Sequence, residues 1–208
     1  MMRNPDRAIR KEMQSIASRR NESLKEGKRW RMIDTVISFV AVVVFVLAIR
    51  ATVLEPVRVD GSSMLDTMRH NNYLFVEKLT YAFSAPKAGD IVICYYPDDY
   101  YTADGQNKSY RTRVKRVVAV AGDTVETRDG VLYVNGVAQE EPYLSQERSR
   151  TDGIETPITI PEGTVYVLGD NRVNSNDSRK SLVGPIPLEK IVGKAHFVLF
   201  PLTDWKKL

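Results

Sequence analysis

Between Thr35 and Leu54 the chain carries a single charge, Arg50, and the middle of this run reads Val-Val-Val-Phe-Val-Leu-Ala-Ile. Twenty helical residues extend about 30 Å, the thickness of the hydrocarbon core of a bilayer. The run is therefore expected to cross a membrane, which leaves the residues after it to form one globular domain. Arg50 would cost about 2.5–3.5 kcal/mol at the bilayer centre. It lies near the exit end, however, where a long side chain can reach the headgroups. The basic flank before the run is too long for the n-region of a cleavable signal peptide, and no clear Ala-X-Ala site follows it. An uncleaved signal anchor is the expectation.

Charge sets the direction of insertion. The chain through Arg31 holds ten Lys or Arg against four Asp or Glu, a net of +6, whereas the whole chain carries +4. The rest must then be at −2, so the excess positive charge is confined to the N-terminus. Basic flanks stay in the cytoplasm, which puts Glu55 onward outside. This distribution speaks against nucleic acid as the partner of the folded domain and for an anionic lipid surface beside the tail. The expected organisation is a basic cytoplasmic tail over 1–34, a transmembrane anchor over 35–54 and an extracytoplasmic domain over 55–208. Within the tail, Ile9, Met13 and Ile16 are spaced as on a short surface helix, with a solvated tail as the alternative.

Glu55-Pro56 is expected to end the helix, because proline lacks an amide donor and restricts its predecessor. Strand signals then dominate: Val57–Val59, Tyr73–Lys78, Ile91–Tyr95, Arg113–Val120, Val131–Val134, Val137–Gln139 and Gly193–Phe200. Asn135-Gly136 predicts a tight hairpin, since both residues tolerate positive φ. A second hairpin is expected from Ile158–Ile160 through Pro161-Glu-Gly to Val165–Leu168. No stretch reads as a long helix. The fold class is mainly β: a single transmembrane helix followed by an all-β, partly open barrel with long loops near 97–110 and 140–156. Five tyrosines between Tyr95 and Tyr110 suit either a membrane interface or a plain solvent loop. The same two readings hold for Trp205 beside Lys206 and Lys207.

The residues restrict the chemistry. Cys94 is the only cysteine, which rules out an intramolecular disulfide and a cysteine-based metal cluster. It reads as a small apolar filler in a strand. His70, in a polar turn, and His196, inside the last apolar strand, are the only histidines, and both read as structural. A nucleophilic serine would then need another base. Val59-Asp-Gly-Ser-Ser-Met-Leu-Asp-Thr-Met68 offers two adjacent hydroxyls, Ser62 and Ser63, after Gly61, which permits a tight turn or close approach to a bound chain. Met64 follows as an apolar plug. Lysine can serve as base only when neutral, and burial on an apolar wall is what lowers its pKa. Moving it from about 10.4 to near 8 takes roughly 3 kcal/mol. Lys115, within Arg113-Val-Lys-Arg-Val-Val, could point inward from a strand, or it could be one more solvated residue of a basic strand with Arg111, Arg113 and Arg116.

A serine beyond a membrane segment, a strand lysine and the later run Gly169-Asp-Asn-Arg-Val-Asn-Ser-Asn-Asp-Ser-Arg179, in this order, resemble the type I signal peptidases, in their Gram-positive-like form. The resemblance extends from about Thr35 to the end of the chain. It implies Ser63 as nucleophile, Lys115 as general base and Ser175 as the hydroxyl that orients the lysine amine. It also implies a supporting ion pair of Asp177 with Arg179, and Asp170 and Arg172 as a signature run. Val59 and Val114 match pocket-lining positions, beside Gly61 and Met64. The Ser63 amide would supply one oxyanion donor. The implied activity is a serine endopeptidase without metal or organic cofactor. Its expected substrates are presecretory proteins, cut after Ala-X-Ala sites at the outer face of the cell membrane, with membrane lipid and possible secretion machinery as partners.

One departure stands out. Asp66-Thr67-Met68 replaces the usual Pro-Thr-Leu. A carboxylate there is expected to favour protonated Lys115 and shift the activity optimum to higher pH. It also leaves room for a catalytically dead, membrane-tethered scaffold on the same fold. The cytosolic self-cleaving SOS-repressor type is a further relative by chemistry, disfavoured by the anchor and by the Gly-Asp-Asn-Arg run.

Overall fold

A computed structural model of the chain describes Met13 and residues 30–47, 54–102 and 108–208. The chain divides into two compact units, residues 1–50 and 51–208. The short tail helix expected around Ile9–Ile16 lies outside the described residues except for Met13, which is helical.

In the first unit, helix α1 runs over Trp30–Leu47, 18 residues or about 27 Å of axial rise. Ile37, Phe39 and Phe45 stand exposed along it, as lipid-facing side chains do. The helix begins before the expected Thr35. At the other end, Leu54 already belongs to the first strand, β1 (Leu54–Arg58). Glu55-Pro56, expected to stop the helix, therefore lies inside a strand. Pro56 is tolerated there because β1 is the edge of its sheet.

The second unit is mainly β, as expected. Its larger sheet has the order β1, β2 (Tyr73–Glu77), β11 (Ile191–Phe200), β3 (Ile91–Thr102), β4 (Lys108–Val120), β9 (Thr164–Leu168) and β10 (Ile186–Pro187). A short β12 (Lys206–Lys207) pairs with β11. The smaller sheet runs β7 (Val137–Ala138), β6 (Val131–Val134), β5 (Thr124–Arg128) and β8 (Ile158–Thr159). The larger sheet starts at β1 and ends at β10, so it is not closed into a barrel. One helical turn, α2 (Thr80–Phe83), follows β2.

Two local expectations fail for physical reasons. The stretch 97–110 is not mainly a loop, because β3 and β4 resume pairing beyond an irregularity and continue to Thr102 opposite Lys108. Tyrosine favours strands, and an antiparallel neighbour supplies the partner. The second expected hairpin does not form either: β8 pairs with β5, whereas β9 pairs with β4 and β10. Ile160 is the crossing point. It is buried with Val125, Leu132, Ile154 and Tyr166, and its amide donates to the Asp123 carbonyl at 2.8 Å. Burial of that side chain between the sheets outweighs a local turn. The Asn135-Gly136 hairpin forms as expected, with φ of 53° and 75°, and 140–156 is irregular apart from a single 3-10 turn at Gln146–Arg148.

The core beneath the serine turn contains Val57, Val59, Met64, Met68, Leu74 and Val76. Leu74 and Val76 alternate inward along β2, the period-two pattern of a half-buried strand. Leu74 has no exposed surface, so Leu74→Ala is expected to destabilise the domain by about 2–5 kcal/mol, measured by urea denaturation of the solubilised chain.

Candidate active site

The serine turn is the closed end of the loop that leaves β1 and returns to β2. Val59 donates to the Asn72 carbonyl (2.8 Å) and Asn71 to the Val59 carbonyl (2.9 Å), which pinches its base. Gly61 takes a φ of 101°, a region that other residues rarely enter. Its amide donates to His70 Nδ1 at 3.2 Å. His196 lies beside Glu77. Both histidines are thus engaged away from Ser63, in keeping with structural roles. Met64 and Met68 are buried beneath the turn.

The polar run after β9 holds this turn from the other side. The Asn171 amide donates to the Ser63 carbonyl (2.9 Å), and its side chain to the Ser62 carbonyl (3.1 Å). Asn174 Nδ2 donates to Ser62 Oγ at 3.3 Å. These contacts separate the two serines: the Ser62 hydroxyl faces Asn174, whereas Ser63 Oγ lies 2.7 Å from Lys115 Nζ.

Lys115 sits on β4, opposite Val92 of β3, and is only 2 % exposed. Its amine donates to the Val114 carbonyl at 3.0 Å. Burial pushes the amine down to about 8; Cys94 and the Asp177 and Asp170 carboxylates oppose that shift, and Arg113 adds to it. The Cys94 thiol is itself pushed up to about 12 by burial. A lysine so placed is neutral in mildly alkaline solution and can accept the Ser63 proton.

Three buried arginine–carboxylate pairs stand behind the serine and lysine. Arg179 binds Asp177 with two nitrogens, at 2.8 and 2.9 Å, and the Gly169 amide donates to the same carboxylate at 3.0 Å. This is the expected ion pair. Asp170 and Arg172 do not pair with each other. Asp170 is held by Arg116 Nε (2.9 Å) and Nη2 (2.8 Å) and by the Thr67 hydroxyl. Arg172 donates to Glu141 and Thr151 and to the Gly169 carbonyl. Arg116, Glu141 and Thr67 were not among the expected site residues. The signal for Arg116 was its place inside an apolar strand, where a guanidinium requires a buried carboxylate.

The Ser175 hydroxyl is buried and makes no hydrogen bond to Lys115. Burial pushes the Asp177 carboxyl up, but Arg179, the Gly169 amide and the Ser175 hydroxyl together hold it below the usual carboxylate range. Asp66, expected to act on Lys115, has a cation of its own. Its carboxylate accepts both contacts of Arg148 Nη1, at 3.0 and 2.9 Å, and the charged groups that act on Lys115 are others. The charge meant to hold Lys115 protonated is already neutralised by Arg148.

Val59, Gly61, Met64 and Val114 line one cleft of about 200 Å³ together with Ser63 and Lys115. A larger cavity of about 460 Å³ opens beside Arg172, Ser175 and Arg179 but includes neither Ser63 nor Lys115. Chemistry, not volume, selects the smaller one.

A buried lysine against a serine on a glycine turn, backed by this polar run, coincides with a family match over residues 32–200, described as signal peptidase, peptidase S26. The chain belongs to this family of serine endopeptidases. Signal peptidase I of Bacillus licheniformis is 36% identical over 193 residues, covering 89% of this chain and 98% of the relative. Signal peptidase I T of Bacillus subtilis (strain 168) is 36% identical over 177 residues, 82% of this chain and 86% of that one. A crystal structure of a signal peptidase I from Enterococcus faecalis V583 is 28% identical and covers 53% of this chain and 97% of its own, with a TM-score of 0.40. As a signal peptidase, the chain acts on preproteins that carry signal peptides.

Two consequences can be measured. A Cβ on Gly169 would lie 2.2 Å from Ser175 Oγ and 2.4 Å from the Ser63 carbonyl oxygen. The second of these is backbone, so Gly169→Ala must displace the serine turn; preprotein cleavage is expected to fall by at least about tenfold, scored by gel.

Lys115 supplies the second. The neutral form of its amine declines below pH of about 8, so a cleavage that uses this amine as its base should slow roughly tenfold per unit on the acid side. Because its folded pKa lies below the ordinary 10.5, the unfolded chain holds more protons between those values and stability rises with pH across that window. Lys115→Met should therefore stabilise the fold by up to about 3 kcal/mol at pH 7. The gain should shrink as pH approaches 10.5, which denaturant titrations at several pH values would show.

Proposed function

We propose that this chain removes signal peptides with Ser63 as nucleophile and Lys115 as general base. The observation that carries this reading is the 2.7 Å contact between Ser63 Oγ and the buried Lys115 amine. In the forward step the neutral amine takes the Ser63 proton as Oγ bonds to the scissile carbonyl carbon. The peptide C–N bond then breaks, and the amine's proton goes to the leaving nitrogen of the mature chain. Water, activated by the same lysine, releases the signal peptide from the acyl-enzyme. The Ser63 amide is assigned to the developing oxyanion. Ser175, whose buried hydroxyl lies by the Asp177 carboxylate, is assigned to orient the ammonium that forms.

Substrate binding follows from the sheet edges. β1 is an edge strand, and β9 pairs with β4 only from Arg116 onward, so Thr112–Val114 has no β9 partner. An extended peptide can add between these backbones, with alternate side chains entering the cleft. Val57, Val59 and Val114 give that cleft small apolar walls, which suit the alanines of an Ala-X-Ala site. Asp177 with Arg179, and Asp170 and Arg172 through Arg116 and Glu141, act as structural support.

Helix α1 fits a membrane anchor, with the basic tail on the cytoplasmic side and the β domain outside. Tyr73, Phe200, Leu202 and Trp205 stand exposed together with Lys206 and Lys207. Aromatic and basic side chains so mixed suit the headgroup region of a lipid surface. Neutralisation of Asp66 by Arg148 removes the main support for an inactive scaffold.

The test compares detergent-solubilised wild type, Ser63→Ala and Ser62→Ala on a preprotein with an Ala-X-Ala site. One cut after the second alanine, lost in Ser63→Ala and kept in Ser62→Ala, is expected. Cleavage that survives Ser63→Ala would move the nucleophile to another residue.

A further inference from the structure

The segment from Glu141 to Thr151 is irregular apart from one 3-10 turn, yet it reaches three elements around the site. Both of its ends meet Arg172: Glu141 pairs with the guanidinium, and the Thr151 hydroxyl accepts from Nη1. In between, the Tyr143 ring lies 3.8 Å from the Arg116 guanidinium, on the strand that carries Lys115. A 3-10 turn over Gln146–Arg148 then presents Arg148 to Asp66. The segment is thus a strap across the polar run, the lysine strand and the serine turn. Its first two attachments are buried. The third, Asp66 with Arg148 and the Ser145 hydroxyl, is half-exposed and joins the strap directly to the serine turn.

We propose that Asp66 and Arg148 are positioning residues: their ion pair tethers the strap to the serine turn and so sets the placement of Ser63 against Lys115. Only Met64 and Leu65 separate Asp66 from Ser63, so the carboxylate anchors the turn on the side opposite β1. The polar run already holds the Ser62 and Ser63 carbonyls through Asn171. With both flanks fixed, the one loose element is the serine side chain, which the lysine amine then captures. Asp66 keeps its charge through the Ser145 hydroxyl and the Arg148 guanidinium, which hold its carboxyl below the usual range against the pull of partial burial. Asp66 in this role takes the place of the rigid proline that the family usually has there: an ion pair to a strap does by charge what a ring does by covalent restraint. Neither residue touches the Lys115 amine, so the effect passes through geometry and not through the lysine's protonation.

This inference rests on the Ser63–Lys115 reading, and the experiment separates the two. Asp66→Arg, Arg148→Asp and the double exchange are made in the full chain, and kcat and KM for a preprotein are measured at low and at 0.5 M salt. Half-exposed ion pairs contribute modestly, so each single reversal should lower kcat by about two- to tenfold with KM nearly constant. The double exchange should restore most of kcat. Wild-type kcat should fall toward that of the variants as salt screens the pair. Hydrogen exchange adds a readout independent of catalysis: amides of 141–151 should exchange faster in the single variants and recover in the double, while those of β9 stay unchanged. The tether is overturned if the exchanged pair fails to restore kcat, if only KM changes, or if strap exchange is the same in all variants. Ser63→Ala tests the underlying site separately; residual cleavage by that variant would sink the site reading, and the strap's exchange behaviour would still report on the ion pair.

Discussion

The proposed chemistry depends on an amine that must be kept out of water. Desolvation is the largest influence on Lys115, and with a smaller push from Arg113 it brings a group that is ordinarily charged to the edge of neutrality near pH 8. Much of the architecture follows from that requirement. Lys115 lies on β4, a strand paired on both sides over part of its length, with β3 and β9 as neighbours. Apolar side chains flank it: Val114 in the cluster beneath the serine turn, and Cys94 and Val117 in the next. The lysine is held where a charge is costly, and the serine is brought to it. That order matters, because a serine on a rigid strand with a solvated lysine would give no base.

The second requirement is mechanical. A surface loop bearing a nucleophile would wander, and here the polar run prevents it with main-chain contacts to both serines. The run is in turn stiffened by arginines that are buried only because each has a carboxylate. Arg116 with Asp170 and Arg172 with Glu141 join three segments distant in sequence, and Arg179 with Asp177 braces the run itself. Such pairs contribute little net stability compared with apolar packing, but losing one partner strands a charge in the interior. Their worth lies in register: each pair has one geometry, so the segments it joins have one arrangement.

The parts of this arrangement legible in the sequence were those governed by local rules. The apolar run gave the helix, alternation gave most strands, and Asn135-Gly136 gave its turn. The meeting of Ser63 and Lys115 was legible only through motif order, since a serine after glycine and a lysine among valines each have ordinary explanations. What local rules missed was decided by partners far along the chain. Pro56 entered a strand because that strand is an edge. Ile158–Thr159 joined β5 instead of β9 because Ile160 found its place between the sheets. Asp66 looked like a threat to the lysine until Arg148, 82 residues later, took its charge. Glu141 lay in what read as featureless loop, and nothing near it in sequence announces Arg172 as its partner.

The chain's lone thiol has a practical bearing. Cys94 is wholly buried, and its pKa of about 12 leaves almost no thiolate at neutral pH, so reagents that attack thiolates meet an unreactive background. A cysteine introduced anywhere on the surface would then be the one addressable thiol of the native protein. Sidedness of labelling across the bilayer, spin-label distances and crosslinks to a passing substrate all become accessible without first stripping the molecule of its own sulfur.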